Sequence, residues 1–179
     1  MSAMNSVTEY GEFDEKFQET FELFKRNIES DEEVGASFAV YKDGKPIIDL
    51  YGGFQDRDKK ISWNKDTLVN VHSTSKGIVA MVVAKLIDNG DLELDKRVCD
   101  YWPEFSENGK NDIRVKTLLS HQAGLYGWRE PLDETDFYKW DYVCELLAKQ
   151  KPFHEPNKEI CYHPKTIGFL VGELIKRIT

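Results

Sequence analysis

The chain has 179 residues, and 24 lysines and arginines against 32 aspartates and glutamates give it a formal net charge of −8. With 40% hydrophobic and 12% aromatic residues it can pack a core, which excludes a collagen-like, low-complexity or disordered chain. The acidic balance, with no Lys/Arg cluster, argues against nucleic acid or an anionic membrane as the main partner, and the length suits one globular domain or part of a larger one.

Residues 12–30 read as an amphipathic helix, because Phe13, Phe17, Phe21, Phe24 and Ile28 recur at spacings of three and four. Such a stripe is a packing face. Residues 34–53 read as a β-hairpin, with Ala36, Phe38 and Val40 alternating on one strand, Ile47 to Tyr51 on the other, and Asp43-Gly44 as the turn. The charged run that follows, QDRDKK, reads as a solvated loop. A lone hairpin is marginal and needs further strands or a covering helix, yet no comparably clear strand pair follows.

The remainder reads as helices and loops. Residues 74–89 predict a helix closed by Gly90, apolar nearly all round (Ile78, Val79, Val82, Val83, Leu86, Ile87) and therefore expected to be buried. Short helical segments are expected at 95–102, stopped by Pro103, and at 113–120. A helix at 136–149 ends before Pro152, and a last apolar helix covers 166–178. The order of elements predicts an α+β fold: a helix, an antiparallel hairpin, then a mostly helical region.

Cys99, Cys144 and Cys161 are widely spaced and odd in number, so neither a disulfide framework nor a C-x-x-C pair is expected. The N-terminal sequence has no apolar signal region and no stretch reaches the roughly 18 apolar residues of a membrane span. A cytoplasmic protein is the expectation. His154, Cys161 and His163 lack a recognisable zinc spacing, and no metal or organic cofactor is implied.

The segment that carries chemistry is Val71-His72-Ser73-Thr74-Ser75-Lys76-Gly77, running into IVAMVVAKLID. Residues at i and i+3 share a helix face, so the Ser73 hydroxyl and the Lys76 amine can meet. A serine hydroxyl becomes a good nucleophile when a nearby base takes its proton, and burial together with the positive helix end would favour a neutral lysine. Spacing alone is weak: Ser62-Trp63-Asn64-Lys65 has the same pattern in a polar loop. On the residues alone, Ser73 as a helix-capping hydroxyl with Lys76 as a surface charge stays open.

Further motifs follow in order: LIDNGDLELDKRVCDYWPEF, IRVKTLLSHQAGL and CYHPKTIGFLVGELIKRIT. With the S-x-x-K helix, these resemble the serine β-lactamase-related superfamily of class C β-lactamases, penicillin-binding proteins and esterases of the same fold. The similarity is greatest to the β-lactamase-like carboxylesterases and the β-lactamase domain-containing proteins of animals. It runs from about Val34 to the last residue, which divides the chain into a lead-in with its helix, 1–33, and the N-terminal part of a β-lactamase-related domain, 34–179.

The resemblance implies that Ser73 is the acylated nucleophile, Lys76 its neighbouring base and Tyr162 the tyrosine that moves the proton between nucleophile and leaving group. Many members carry Tyr-x-Asn, whereas this chain has Tyr162-His163-Pro164. The lost amide weighs against β-lactam recognition and towards the esterases. His121 and Gly124 match a segment that shapes the loop beside the site, where His121 reads as a structural histidine. Members also carry a Lys-Thr-Gly or His-x-Gly motif on a later strand, and Lys165-Thr166-Ile167 does not match it in residue or place.

The chain therefore reads as the first half of a roughly twice-longer hydrolase domain, whose hairpin would keep an unpaired edge and an exposed apolar face. The expectation is a serine hydrolase of esterase type acting through an acyl-enzyme on a small ester or amide, inactive or impaired as this chain. The alternative is a non-catalytic interaction protein in which the unpaired edge serves strand addition or self-association.

Overall fold

The computed structural model describes residues 6–179. The chain forms two compact units, one ending at Asn70 and the other spanning Val71–Thr179.

In the first unit, β1 (Ser6–Thr8) and β2 (Gly11–Phe13) precede a 3-10 turn at Glu15–Phe17 and helix α1 (Gln18–Glu29). Strands β3 (Gly35–Lys42) and β4 (Lys45–Gly53) make the expected hairpin. Asp43 and Gly44 lie at φ +51° and +72°, the left-handed pair that matches a two-residue turn to the twist of its strands. The antiparallel sheet has the order β1-β2-β4-β3.

The helix expected from residue 12 starts later. Phe13 ends β2 opposite Ile48, and the Asp14 carboxylate accepts the Lys16 N–H at 3.2 Å to open the separate 3-10 turn. The phenylalanine stripe survives, but from two elements. Phe13 stacks on Phe21 at 4.6 Å between ring centres, and the pair forms a small core with Ile48 and Leu50. The hairpin thus gains a third strand on the β4 side and a helix over it. On the other side β3 is an edge strand, with Phe38 and Tyr41 exposed.

The second unit consists of α2 (Ser75–Asp88), α3 (Val115–Leu119), α4 (Trp140–Lys149) and α5 (Thr166–Ile178), joined by short 3-10 turns and loops. Helix α5 is its centre. Ile167, Leu170, Val171 and Leu174, at i, i+3, i+4 and i+7, are buried against α2, α3 and α4. Val98, Trp102, Phe105, Ile113, Leu118, Leu125 and Leu147 complete the core, where each fully buried large side chain contributes about 1.5–3 kcal/mol.

Helix α2 corrects an expectation. Only Val83 and Leu86 are buried, while Ile78, Met81 and Val82 lie open to solvent. The apolar count was right, but only the face bearing Val79, Val83, Leu86 and Ile87 meets the core. Composition cannot say which faces of a helix find a partner. Among the described residues no helix is long and apolar enough to cross a membrane.

Lys110 is fully buried, and its ammonium donates to the carbonyls of Glu107 at 2.7 Å and Gln150 at 2.6 Å. Burial pulls its pKa down to about 8. Lys110→Met should leave both carbonyls without this donor and lower stability by about 2 kcal/mol or more. Thermal melting at pH 7 checks this, and an unchanged midpoint would show that the two bonds add nothing net.

Candidate active site

Ser73 lies in a 3-10 turn, His72–Thr74, that leads directly into α2. The turn is entered through His72 at φ +45°, a left-handed conformation costing a non-glycine residue about 1 kcal/mol. Lys76 follows on the first turn of α2, and its Nζ donates to Ser73 Oγ at 3.0 Å. The Tyr162 hydroxyl, from the segment before α5, donates to the same oxygen at 2.7 Å. The structure therefore brings Ser73, Lys76 and Tyr162 together around one oxygen atom. The second Ser-x-x-Lys copy lies in the other unit, where Ser62 pairs with Phe54 in an isolated bridge.

A further contact was not foreseen. Lys76 Nζ also donates to the carbonyl of Pro164 at 2.9 Å and sits 5.1 Å from the centre of the Tyr162 ring. The position that lacks the usual asparagine thus contributes through its backbone. The hydrogen bond to Ser73, then that to Lys76 and the lysine charge, lower the Tyr162 phenol below its ordinary pKa. The partly dry site expected from a buried α2 is not found. Ser73 is exposed and Tyr162 about half exposed, because the apolar face of α2 beside them is uncovered.

Tyr162 stands on irregular backbone, and two histidines tie down its neighbours. The His121 carbonyl accepts the Cys161 N–H at 3.0 Å, and His121 Nδ1 accepts the His163 N–H at 3.1 Å. His163 is fully buried; its Nε2 accepts the Leu125 N–H at 3.0 Å and its Nδ1 donates to the Cys161 carbonyl at 2.5 Å. Both bonds suit a neutral ring, and burial pushes the His163 pKa down to about 4. Burial, and then the charge on Lys76, also lower that of His121. Gly124 lies at φ +69° on the same loop, where a Cβ would sit 2.6 Å from the His154 carbonyl oxygen. That close approach requires glycine.

Sequence reading placed His121 as structural and saw no role for His163. Their segments are 42 residues apart, and no spacing rule links them. Among the described residues no three His, Cys, Asp or Glu side chains gather as metal ligands. His154 and His163 instead flank Tyr126, with ring centres 6.1 and 6.3 Å from it.

With this geometry in hand, comparison with known proteins is specific. The family model described as Beta-lactamase matches residues 22–179. The chain belongs to the β-lactamase family. Over 145 residues it is 35% identical to the esterase/beta-lactamase LipL of Mycobacterium tuberculosis, covering 81% of this chain and 33% of that protein. Among solved structures it is similar to a family VIII carboxylesterase (44% identity, TM-score 0.87), over 91% of this chain and 44% of the other. A penicillin-binding protein homolog from Caulobacter crescentus superimposes with a TM-score of 0.90 at 37% identity, over 97% of this chain and 46% of the other. The chain thus spans about a third to under half of the length of these relatives. The β-lactamase/transpeptidase-like fold, in its α+β N-terminal portion, is the one expected from the sequence.

Proposed function

We propose that this chain is a serine hydrolase of the β-lactamase-like esterase type, acting through an acyl-enzyme on Ser73. The observation that carries the reading is the double hydrogen bond to Ser73 Oγ from Lys76 Nζ and the Tyr162 hydroxyl. Lys76 takes the hydroxyl proton as Ser73 Oγ attacks the carbonyl carbon of a small ester or amide. The proton held by Lys76 then passes through the Tyr162 hydroxyl to the departing oxygen or nitrogen, and the alcohol or amine leaves. Water then adds to the acyl-serine and releases the acid, restoring the hydroxyl. Esters are favoured over β-lactams because Pro164 offers no side-chain amide to hold a polar substrate group. Similarity to a family VIII carboxylesterase supports the same choice. No step calls on a metal or organic cofactor.

The test is covalent labelling with a fluorophosphonate, followed by peptide mass spectrometry. One adduct on Ser73, absent from Ser73→Ala, is the expected result. A folded chain whose Ser73 stays unlabelled at excess reagent would overturn the reading. A second reading would then stand on the exposed Phe38 and Tyr41 of edge strand β3: a non-catalytic protein that pairs β3 with another strand, seen as concentration-dependent association.

A further inference from the structure

Lys76 is held close to Ser73 by helix geometry, since the two are three residues apart at the start of α2. Tyr162 has no such support. It belongs to no helix or strand, it is about half exposed, and its hydroxyl must reach an oxygen 89 residues away in sequence. Its placement within 2.7 Å of Ser73 Oγ therefore depends on what fixes the backbone on either side of it.

One residue holds both sides. The His121 carbonyl binds the N–H of the residue before Tyr162, and the His121 ring binds the N–H of the residue after it. Two bonds from one residue to both flanks of Tyr162 fix the direction in which its side chain leaves the chain. The His121 ring also packs against the tyrosine ring, 5.2 Å between centres. His121 itself lies at φ +61°, a strained conformation for a non-glycine residue that persists where the surroundings hold it.

We propose that His121 is a positioning residue of the active site, whose neutral Nδ1 and carbonyl aim Tyr162 at the nucleophile. The inference rests on the proposed role of Tyr162 in acylation, and it predicts a regulatory consequence. Protonation at Nδ1 turns the acceptor into a donor facing the His163 N–H, so the clasp opens and Tyr162 loses its aim. The groups facing the His121 ring are Lys76 from α2, and Tyr162 and His163 from the segment before α5. The lysine charge opposes a second cation there. His163 is neutral in its two hydrogen bonds.

Two variants separate the ring from the backbone. His121→Gly accepts the positive φ and keeps the carbonyl but removes Nδ1. His121→Asn tolerates the same φ and places an amide oxygen near the lost acceptor, without a proton to gain in the acid range. The readouts are the phenol titration of Tyr162, followed by tyrosine-ring 13C NMR and assigned through Tyr162→Phe, and the rate of fluorophosphonate labelling at Ser73. His121→Gly should raise the Tyr162 titration towards the ordinary 10 and slow labelling at least about tenfold, and His121→Asn should restore both. As the pH falls through the imidazole range, the Tyr162 resonance should move in the wild type and stay in place in His121→Asn.

A Tyr162 titration unchanged in His121→Gly, or still altered in His121→Asn, would overturn the proposal. If His121→Gly fails to fold, the acid titrations decide: a transition present in the wild type and absent from His121→Asn supports the proposal, and identical profiles overturn it. If Ser73 is never labelled while Tyr162 still answers to both variants, the esterase reading fails and the positioning role stands.

Discussion

Replacing Lys76 by alanine is expected to slow acylation of Ser73 by roughly 10³-fold, within the range that a positioned general base supplies. The substitution removes the only side-chain amine within hydrogen-bond reach of Ser73 Oγ among the described residues. Lys76→Arg is the sharper variant. A guanidinium keeps the positive charge and can still donate to Ser73 and to the Pro164 carbonyl, yet it cannot give up its proton in this pH range. If Lys76 acts as a base, arginine should be about as damaging as alanine; if it acts only as a fixed charge, arginine should retain most of the rate. Tyr162→Phe keeps the ring beside Lys76 and removes the hydroxyl, and a loss of about 10²-fold is expected. The rate of covalent labelling at Ser73 measures all three without requiring turnover. Wild-type rates in Lys76→Arg would remove the lysine from the proton pathway.

Acid should destabilise the fold by about 3 kcal/mol through His163 alone. The ring is fully buried and neutral, with its pKa near 4 against an ordinary 6.5. The unfolded chain therefore binds a proton at this residue below pH 6.5 that the folded chain refuses until about pH 4. Stability is fully present above pH 6.5, falls by about 1.4 kcal/mol per pH unit through that window, and levels off below it. Carboxylates whose pKa values are lowered by hydrogen bonds and ion pairs, Asp100 and Asp133 among them, add their own loss only in the acid range of carboxylates. Urea unfolding at pH 7 and pH 4.5 measures the slope. In His163→Gln the slope should flatten although the protein starts less stable, because the Leu125 N–H and the Cys161 carbonyl lose well-placed partners. An undiminished slope would show that the acid sensitivity comes from other groups. His121, also shifted downward, would account for a small remainder.

The helical region was legible because its signals are local. Helix α5 runs Thr166–Ile178, the span that its apolar periodicity gave, and the Asp43-Gly44 turn fixed the hairpin. The start of α1 was misplaced because a phenylalanine spaced correctly for a helix fits equally well at the end of a strand facing it. Phe13 would lie on the apolar face of a helix, yet it reaches the same small core from the strand, where it stacks on Phe21, so periodicity could not decide. β1 and β2, three residues each, are too short to carry an alternating pattern.

At the site, the pairing of Ser73 with Lys76 followed from i, i+3 spacing, whereas the approach of Tyr162 came only through resemblance. The clasp of His121 and His163 was invisible because backbone N–H and carbonyl groups do half of the binding. The exposure of α2 was missed for a different reason. Hydropathy counts the apolar faces of a helix but not the elements available to cover them.

The anchor that Lys76 finds on Pro164 is a main-chain oxygen, a group every residue carries. The side chain at position 164 is therefore decoupled from the lysine's own tether. A lineage of such proteins could exchange proline for an amide-bearing residue there, altering which molecules are welcomed, while the proton machinery beside it keeps its footing. Preference and reactivity can drift separately at a single residue, one through its side chain and the other through its carbonyl.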